Sequence, residues 1–258
     1  MFPASALLNP PPSELRGVRA SAIGGILMDL QYPESAFSGL GSADFSADQI
    51  GALRKTGAHK RWRRGDVLLC EGGAPDCVIM IEEGQIKATV HASNGYTSLL
   101  AVRGPGELVG EMACLDGRPR SATVTASTAG LGTVISADRF LALLQGNAGL
   151  AMAVLRSVGA RLRHSDTHRA GNGAHTARTR IASVLADLAH RYGVPALDAG
   201  PRARRVQVTQ QDLAGASGTS RESVVRALKE LERAGLVSRN RGVLLVQNPT
   251  RLNGWPSG

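Results

Sequence analysis

Gly106-Glu107-Leu108-Val109-Gly110-Glu111-Met112-Ala113, followed by Arg118-Pro119-Arg120-Ser121-Ala122-Thr123-Val124, is the stretch that decides how this chain is read. A ribose closed by a cyclic phosphate offers a 2′-hydroxyl, one negative charge held in a ring, and a base. A carboxylate accepts a hydrogen bond from the hydroxyl, and an arginine fork donates to the phosphate oxygens. A glycine-framed short helix aims backbone N–H groups at the same oxygens. Gly110 lets the backbone approach, Glu111 is placed for the ribose with Met112 beside it, and Arg120 and Ser121 at the start of a strand face the phosphate.

Around this stretch, from Thr56 to about Ser136, short apolar segments alternate with turn residues such as Arg64-Gly65-Asp66, Glu83-Gly84, Asn94-Gly95 and Asp116-Gly117. That spacing predicts an all-β sandwich or roll, with strands including Val67–Leu69, Val78–Ile81, Ile86–Val90, Leu99–Val102 and Ala122–Ala126. Upstream, Ser46-Ala47-Asp48-Gln49 is a capping-box pattern that starts a short helix. Residues 1–36 contain Pro10-Pro11-Pro12 and little periodicity, which predicts a flexible leader with a short helix near Ile26–Leu30.

Downstream the period lengthens. Ala151, Leu155, Val158, Leu162 and Ser165 recur at alternating steps of four and three, the seam of a long helix that pairs with a second copy. Gly171-Asn172-Gly173 is expected to interrupt it as a hinge, since each glycine costs about 1 kcal/mol in a helix. A further helix carries Ile181, Val184, Leu185 and Leu188 and ends near Tyr192-Gly193-Val194-Pro195. Two short helices and a hairpin to Val246 follow, and the last dozen residues read as a tail.

The two short helices form a helix-turn-helix. Thr209-Gln210-Gln211-Asp212 opens the first, Gly215 to Gly218 is the turn region, and Thr219-Ser220-Arg221-Glu222 opens the second. Val224, Leu228 and Leu231 form its buried face, while Arg221, Glu222 and Arg226 point away from the core. Such a helix presents its N-terminal residues to the DNA major groove, where arginine suits guanine O6/N7 and glutamate accepts from cytosine N4. A formal charge of +9 over 258 residues favours a polyanionic partner. From Gly200 onward ten Lys/Arg face four acids, which concentrates the charge where the DNA-reading motif lies.

Three cysteines, Cys70, Cys77 and Cys114, form no CxxC pair, so neither a metal nor an iron–sulfur site is expected. No apolar run reaches about 18 residues and the N-terminus lacks a secretory pattern, so the protein is expected in the cytoplasm with no membrane partner.

The residues quoted from the Gly-Glu and Arg-Ser pairs through the helix-turn-helix resemble the Crp/Fnr family, most closely its cyclic-AMP-responsive catabolite activator branch, over roughly residues 37–247. The resemblance implies an α+β chain: a 1–36 leader, a cyclic-nucleotide-binding β-roll at 37–146, a dimerisation helix and hinge at 147–173, a winged helix-turn-helix at 174–247, and a tail at 248–258. It implies a phosphate-binding cassette at Gly110, Glu111, Met112, Arg120 and Ser121. Arg161 on the long helix is placed against Glu111, and Ser165 and Asp166 one turn later meet adenine from both subunits. Asp166 departs from the family's usual small hydroxyl residue. Arg221, Glu222 and Arg226 match the base-reading positions for TGTGA-like half-sites. Thr209, Gln210 and Ser220 join them at the DNA, with Arg239 and Arg241 in a wing that meets phosphates.

The implied function is a homodimeric DNA-binding regulator, not an enzyme, with cyclic AMP as allosteric ligand and RNA polymerase as a further partner through the Val194–Arg202 loop. Two alternatives remain at this point. One is a regulator of the same fold that answers to another ligand, such as cyclic di-GMP, or to none; haem would need His59 or His91. The other is a cyclic-nucleotide-gated subunit of an enzyme.

Overall fold

A computed structural model describes residues 45–91, 96–240, 242–253 and 255, with the side chains of 164 and 167–174 outside that description. The expected leader, its helix near Ile26–Leu30, and the Asn94-Gly95 turn lie outside the described residues.

The described residues open with α1 (Ala47–Thr56), held by the capping box expected there: Gln49 N donates to Ser46 Oγ, and Ser46 N donates to Gln49 Oε1. Eight strands follow: β1 (Ala58–Trp62), β2 (Val67–Leu69), β3 (Cys77–Glu83), β4 (Ile86–His91), β5 (Thr97–Arg103), β6 (Leu108–Val109), then after α2 (Glu111–Asp116) β7 (Thr123–Ala126) and β8 (Gly130–Ser136). They form two antiparallel four-stranded sheets, ordered β1-β8-β3-β6 and β2-β7-β4-β5. In β3 the period-2 alternation buries both faces. Ile79 and Ile81 join Ile86, Val109, Val124 and Trp62 between the sheets. Val78 and Met80 pack on the other side with Leu53, Phe140, Leu150 and Val154 of the covering helices.

Three of these strands, β1, the two-residue β6 and β8, were not among those named from the sequence. In β1, Ala58 to Arg61 are exposed and only Trp62 is buried, so it carries no hydrophobic alternation. In β8, Gly130 and Gly132 make room for the Trp62 ring. A Cβ on Gly130 would lie 2.6 Å from Trp62 Nε1, and one on Gly132 2.8 Å from its Cη2.

After α3 (Ala137–Gly146), α4 runs from Ala148 to Ala174. Leu150, Ala153, Val154 and Ser157 face the roll, whereas Met152, Leu155 and Leu162 are more than half exposed. The helix continues through Gly171 and Gly173 and breaks at His175, so the expected interruption at the glycines is absent. Extending an existing helix is far cheaper than nucleating one, and the new cap at Thr176 sets the break.

The C-terminal region comprises α5 (Ala177–Tyr192), β9 (Val194–Pro195), β10 (Arg204–Gln207), α6 (Gln210–Ser217), α7 (Arg221–Arg233), β11 (Val237–Asn240), β12 (Val243–Val246) and α8 (Pro249–Asn253). Its sheet order is β11-β12-β10-β9. Residues from all four helices share one core, including Leu185, Leu213, Leu228 and Leu252. The expected tail is therefore in part a packed helix, because burial of Leu252 holds α8 against this core. Among the described residues, no single helix is long and apolar enough to cross a membrane.

Candidate functional site

Gly110 is the N-cap of α2 at φ 83°, a left-handed conformation that favours glycine. A Cβ there would meet Arg120 Nη1 at 2.7 Å, so the position requires glycine for space as well as for conformation. The next residue, Glu111, is buried at 3 % exposure. Its Oε1 accepts from Arg161 Nη1 at 2.6 Å, and Arg161 Nη2 donates to the Leu108 carbonyl at 2.8 Å. The Glu111 carboxylate and the long helix are thus brought together. Met112 is half exposed beside Glu111, and Ser165 and Asp166 are exposed on α4 one turn beyond Arg161.

Arg120 does not sit on a strand, since β7 starts at Thr123. It lies in the preceding segment, where its N–H donates to the Gly73 carbonyl and its own carbonyl accepts from Gly72. The guanidinium is buried and turned inward. Nε donates to the Ala74 carbonyl at 3.1 Å, Nη1 to the Gly110 carbonyl at 2.7 Å, and Nη2 to both the Cys77 carbonyl at 2.6 Å and Asp76 Oδ1 at 2.9 Å. This joins the two halves of the cassette through the Gly110 carbonyl. Ser121 is exposed next to it.

The three thiols are free. Burial pushes the Cys77 thiol up to about 11 and raises that of Cys114, which keeps both neutral beside the guanidinium. Among the described residues, no group of three or more His, Cys, Asp or Glu is placed to hold a metal ion.

A set of contacts that sequence reasoning missed ties the roll to the helix-turn-helix. Lys87 Nζ on β4 lies 2.7 Å from Asp212 Oδ1 on α6, while Asp212 Oδ2 accepts from the Thr209 N–H and hydroxyl at 3.2 and 2.7 Å. Tyr96 donates to the Ala214 carbonyl at 3.2 Å. Gln85 donates to the Tyr192 carbonyl at 2.7 Å, and Arg103 reaches the Tyr192 hydroxyl at 3.5 Å. Arg103 also pairs with buried Glu107 at 3.5 Å, and Glu107 lies in the loop that leads to Glu111. Apart from Arg103–Glu107 and Thr209–Asp212, the partners are about 90 residues or more apart in sequence, so no local pattern announces them.

In the helix-turn-helix, Thr209 caps α6 in a reciprocal box with Asp212, and Ser220, not Thr219, caps α7 by accepting from Ser223 N at 3.2 Å. Gly215, expected in the turn, is inside α6; the turn is confined to Gly218–Ser220. Glycine stands at 215 because a Cβ would lie 2.6 Å from the Thr97 carbonyl and 2.7 Å from Leu99 N of β5. Arg180 of α5 clamps the turn, donating from Nε to the Ser217 carbonyl at 2.9 Å and from Nη2 to the Gly218 carbonyl at 3.2 Å.

Arg221, Glu222 and Arg226 are exposed on the face of α7 opposite Val224, Leu228 and Leu231. Glu222's own backbone N–H and the Ser220 hydroxyl hold its carboxyl below the usual range. Gln210 is half-buried and Thr209 and Ser220 are exposed at the two helix starts. Arg239, expected on phosphate, forms a two-pronged contact with Glu232 of α7, both N···O distances being 2.6 Å. That pairing uses its donor fork within the domain. Arg241 lies outside the described residues.

A buried carboxylate clamped by a long helix, on a β-roll that precedes an exposed reading helix, defines a class of DNA-binding regulators that respond to a nucleotide. Residues 59–147 match the family of cyclic nucleotide-binding domains, and residues 179–255 match that of Crp-like helix-turn-helix domains. The CRP-like cAMP-activated global transcriptional regulator of Mycobacterium tuberculosis (strain ATCC 25618 / H37Rv) is 27% identical over 203 residues, 79% of this chain and 90% of that protein. The cAMP-activated global transcriptional regulator CRP of Salmonella typhimurium is 29% identical over 181 residues, 69% of this chain and 84% of that protein. The c-di-GMP responsive global regulator CLP of Xanthomonas campestris shares the fold, with a TM-score of 0.67 at 21% identity over 78% of this chain and 99% of that one. The chain belongs to the Crp/Fnr family of transcription regulators. It is a cyclic-nucleotide-binding member with a DNA-binding helix-turn-helix, and the family's members are regulators rather than enzymes.

Proposed function

We propose that the protein is a homodimeric regulator gated by cyclic AMP, which binds a near-palindromic TGTGA-like DNA site. The Glu111–Arg161 pair carries this reading. It links the carboxylate that would receive the ribose 2′-hydroxyl to the helix that presents Leu155 and Leu162 to a second copy. Ligand contact at Glu111 therefore acts directly on the dimer helix. Gly110, Met112, Arg120 and Ser121 complete the phosphate side.

Ser165 and Asp166 are assigned to the base. An ionised Asp166 only accepts hydrogen bonds, which suits the N6 amino group of adenine and opposes the O6 of guanine. Arg221, Glu222 and Arg226 are assigned to base edges. Thr209, Gln210 and Ser220 are assigned to DNA contacts, and Arg239, which also pairs with Glu232, and Arg241 are assigned to phosphates. The Val194–Arg202 loop, where Leu197 is 77% exposed, is assigned to RNA polymerase. The relatives named as cAMP-activated support cyclic AMP over cyclic di-GMP.

Calorimetry of the purified protein against cyclic AMP, cyclic GMP and cyclic di-GMP tests the ligand, and a gel shift on a palindromic TGTGA site with and without ligand tests the coupling. Cyclic AMP is expected to bind and to tighten DNA binding. Heat from cyclic di-GMP alone, or DNA binding indifferent to cyclic AMP, overturns the reading.

A further inference from the structure

Arg120 makes an uneven set of contacts. Three of its acceptors are backbone carbonyls, at Ala74, Cys77 and Gly110, and these leave only if the main chain moves. Cys77 is also fixed by β3 pairing opposite Ser136. Two longer contacts run to the sulfurs of Cys114 at 3.9 Å and Cys77 at 3.8 Å, both inside the fold. The remaining acceptor is the carboxylate of Asp76, whose side chain is 76% exposed while that of Arg120 is 4% exposed. The Asp76 main chain is anchored through its carbonyl, which accepts from Ala137 N at 2.8 Å, while its exposed carboxylate is held first by Arg120 and to a lesser extent by Cys77 and its own backbone.

We propose that Asp76 is an internal competitor for the ligand phosphate, occupying the one exchangeable position on Arg120 and thereby setting how tightly a cyclic nucleotide is held. The inference rests on the cyclic-nucleotide reading above. A cyclic phosphate and a carboxylate each bring one negative charge to a single buried guanidinium. The two anions compete for the same Nη2 donor and repel each other when both are close, so the phosphate takes the Nη2 position and Asp76 is displaced into water. The carboxyl of Asp76 is held below its ordinary range, first by the hydrogen bond from Arg120, which keeps it ionised and in competition.

The opposite role, in which Asp76 serves only to orient Arg120, has the opposite signature. Three carbonyls already hold the guanidinium, so orientation survives without the carboxylate.

The test is calorimetry with cyclic AMP on the unmodified full chain and on Asp76→Asn, Asp76→Ala and Arg120→Ala, each checked for folding by its melting transition. Both Asp76 variants are expected to bind cyclic AMP about tenfold more tightly, the scale of one charge-assisted hydrogen bond no longer exchanged. Arg120→Ala is expected to bind at least about tenfold more weakly, on the same scale. Binding seen only in the Asp76 variants also supports the inference. If the unmodified protein binds and folded Asp76→Asn binds equally or more weakly, the inference falls while the cyclic-nucleotide reading stands. If none of the four proteins binds cyclic AMP, that reading falls and takes the inference with it.

Discussion

Arg161 Nη1 lies 2.6 Å from Glu111 Oε1 across 50 residues of chain, and the same guanidinium holds the Leu108 carbonyl. Both members of the pair are largely buried, with side-chain exposures of 17% and 4%. Removing one partner strands the other charge away from water, at a cost of about 3 kcal/mol or more. Arg161→Ala is expected to lower the denaturation midpoint clearly and to weaken ligand binding. Arg161→Ala with Glu111→Gln is expected to recover part of the stability but none of the binding. Equal stability for the two proteins in denaturant titrations would contradict this account of the pair.

The carboxylate of Asp212 has two functions that substitution separates. One oxygen completes the cap on Thr209 and the other meets Lys87. Lys87→Ala removes only the contact with the roll. Asp212→Ala removes that contact and the cap, the latter costing about 1 kcal/mol. A double-mutant cycle is expected to show a coupling of about 1 kcal/mol between the two residues, and Asp212→Ala is expected to cost more than Lys87→Ala. A coupling near zero would mean that the ion pair does not hold the two regions together in solution.

Gly215 tests how closely α6 rests on β5. In an exposed helix, glycine to alanine stabilises by about 1 kcal/mol. Here the new methyl would lie within 2.6 Å of the Thr97 carbonyl. Overpacking of this kind typically costs about 1–3 kcal/mol. Gly215→Ala is therefore expected to destabilise the full chain and to enlarge its radius in small-angle scattering as α6 lifts away. Stabilisation with an unchanged radius would show that the two surfaces are not in contact.

The parts of this fold that were legible in sequence are those written locally. The short apolar run Val78–Ile81 between turn residues and the boxes at Ser46 and Thr209 each specify their own element within a few residues. The β1 strand was silent because an edge strand with one buried residue carries no pattern, and β8 because glycines make room for Trp62. Gly215 and the Gly171–Gly173 pair were misread for a common reason. Glycine marks a turn only when nothing nearby explains its small size or pays its helix cost, and sequence does not show what packs against it. Gly110, Glu111 and Arg120 were legible as a group, but the inward turn of Arg120 toward Asp76 depends on a partner 44 residues away. Lys87 and Asp212 are 125 residues apart.

The exposed stripe of α4 bears on assembly. Leu155 is 58% exposed and Leu162 is 59% exposed, although both lie at seam positions of a regular helix. Full burial of a leucine side chain is worth about 1.5–3 kcal/mol, so two copies pairing along this seam gain several times that. Leu155→Asp with Leu162→Asp would place like charges across the seam. Analytical ultracentrifugation is expected to show a dimer for the unmodified protein and a monomer for the double variant. A dimer persisting in the variant would place the interface elsewhere.

Arg226 distinguishes reading from mere attraction. It is exposed on α7, lightly held by Ser223 Oγ at 3.2 Å, and one helical turn from Glu222. A long side chain in that position is free to trade its serine contact for the O6 and N7 acceptors of a guanine. A bidentate contact to the right base is worth about 1–3 kcal/mol over the wrong one. Arg226→Ala is therefore expected to relax preference at one G·C pair per half-site, while leaving the salt dependence of binding nearly unchanged. Lys229, also exposed on α7, has no assigned base, so Lys229→Ala serves as the comparison: any loss should be the same for every sequence, as expected for a cation acting on the phosphate backbone. Binding to a panel of single-base-substituted sites at two salt concentrations separates the two outcomes. Should Arg226→Ala weaken all sites alike, with preference intact, α7 would be attracting DNA through charge without reading it.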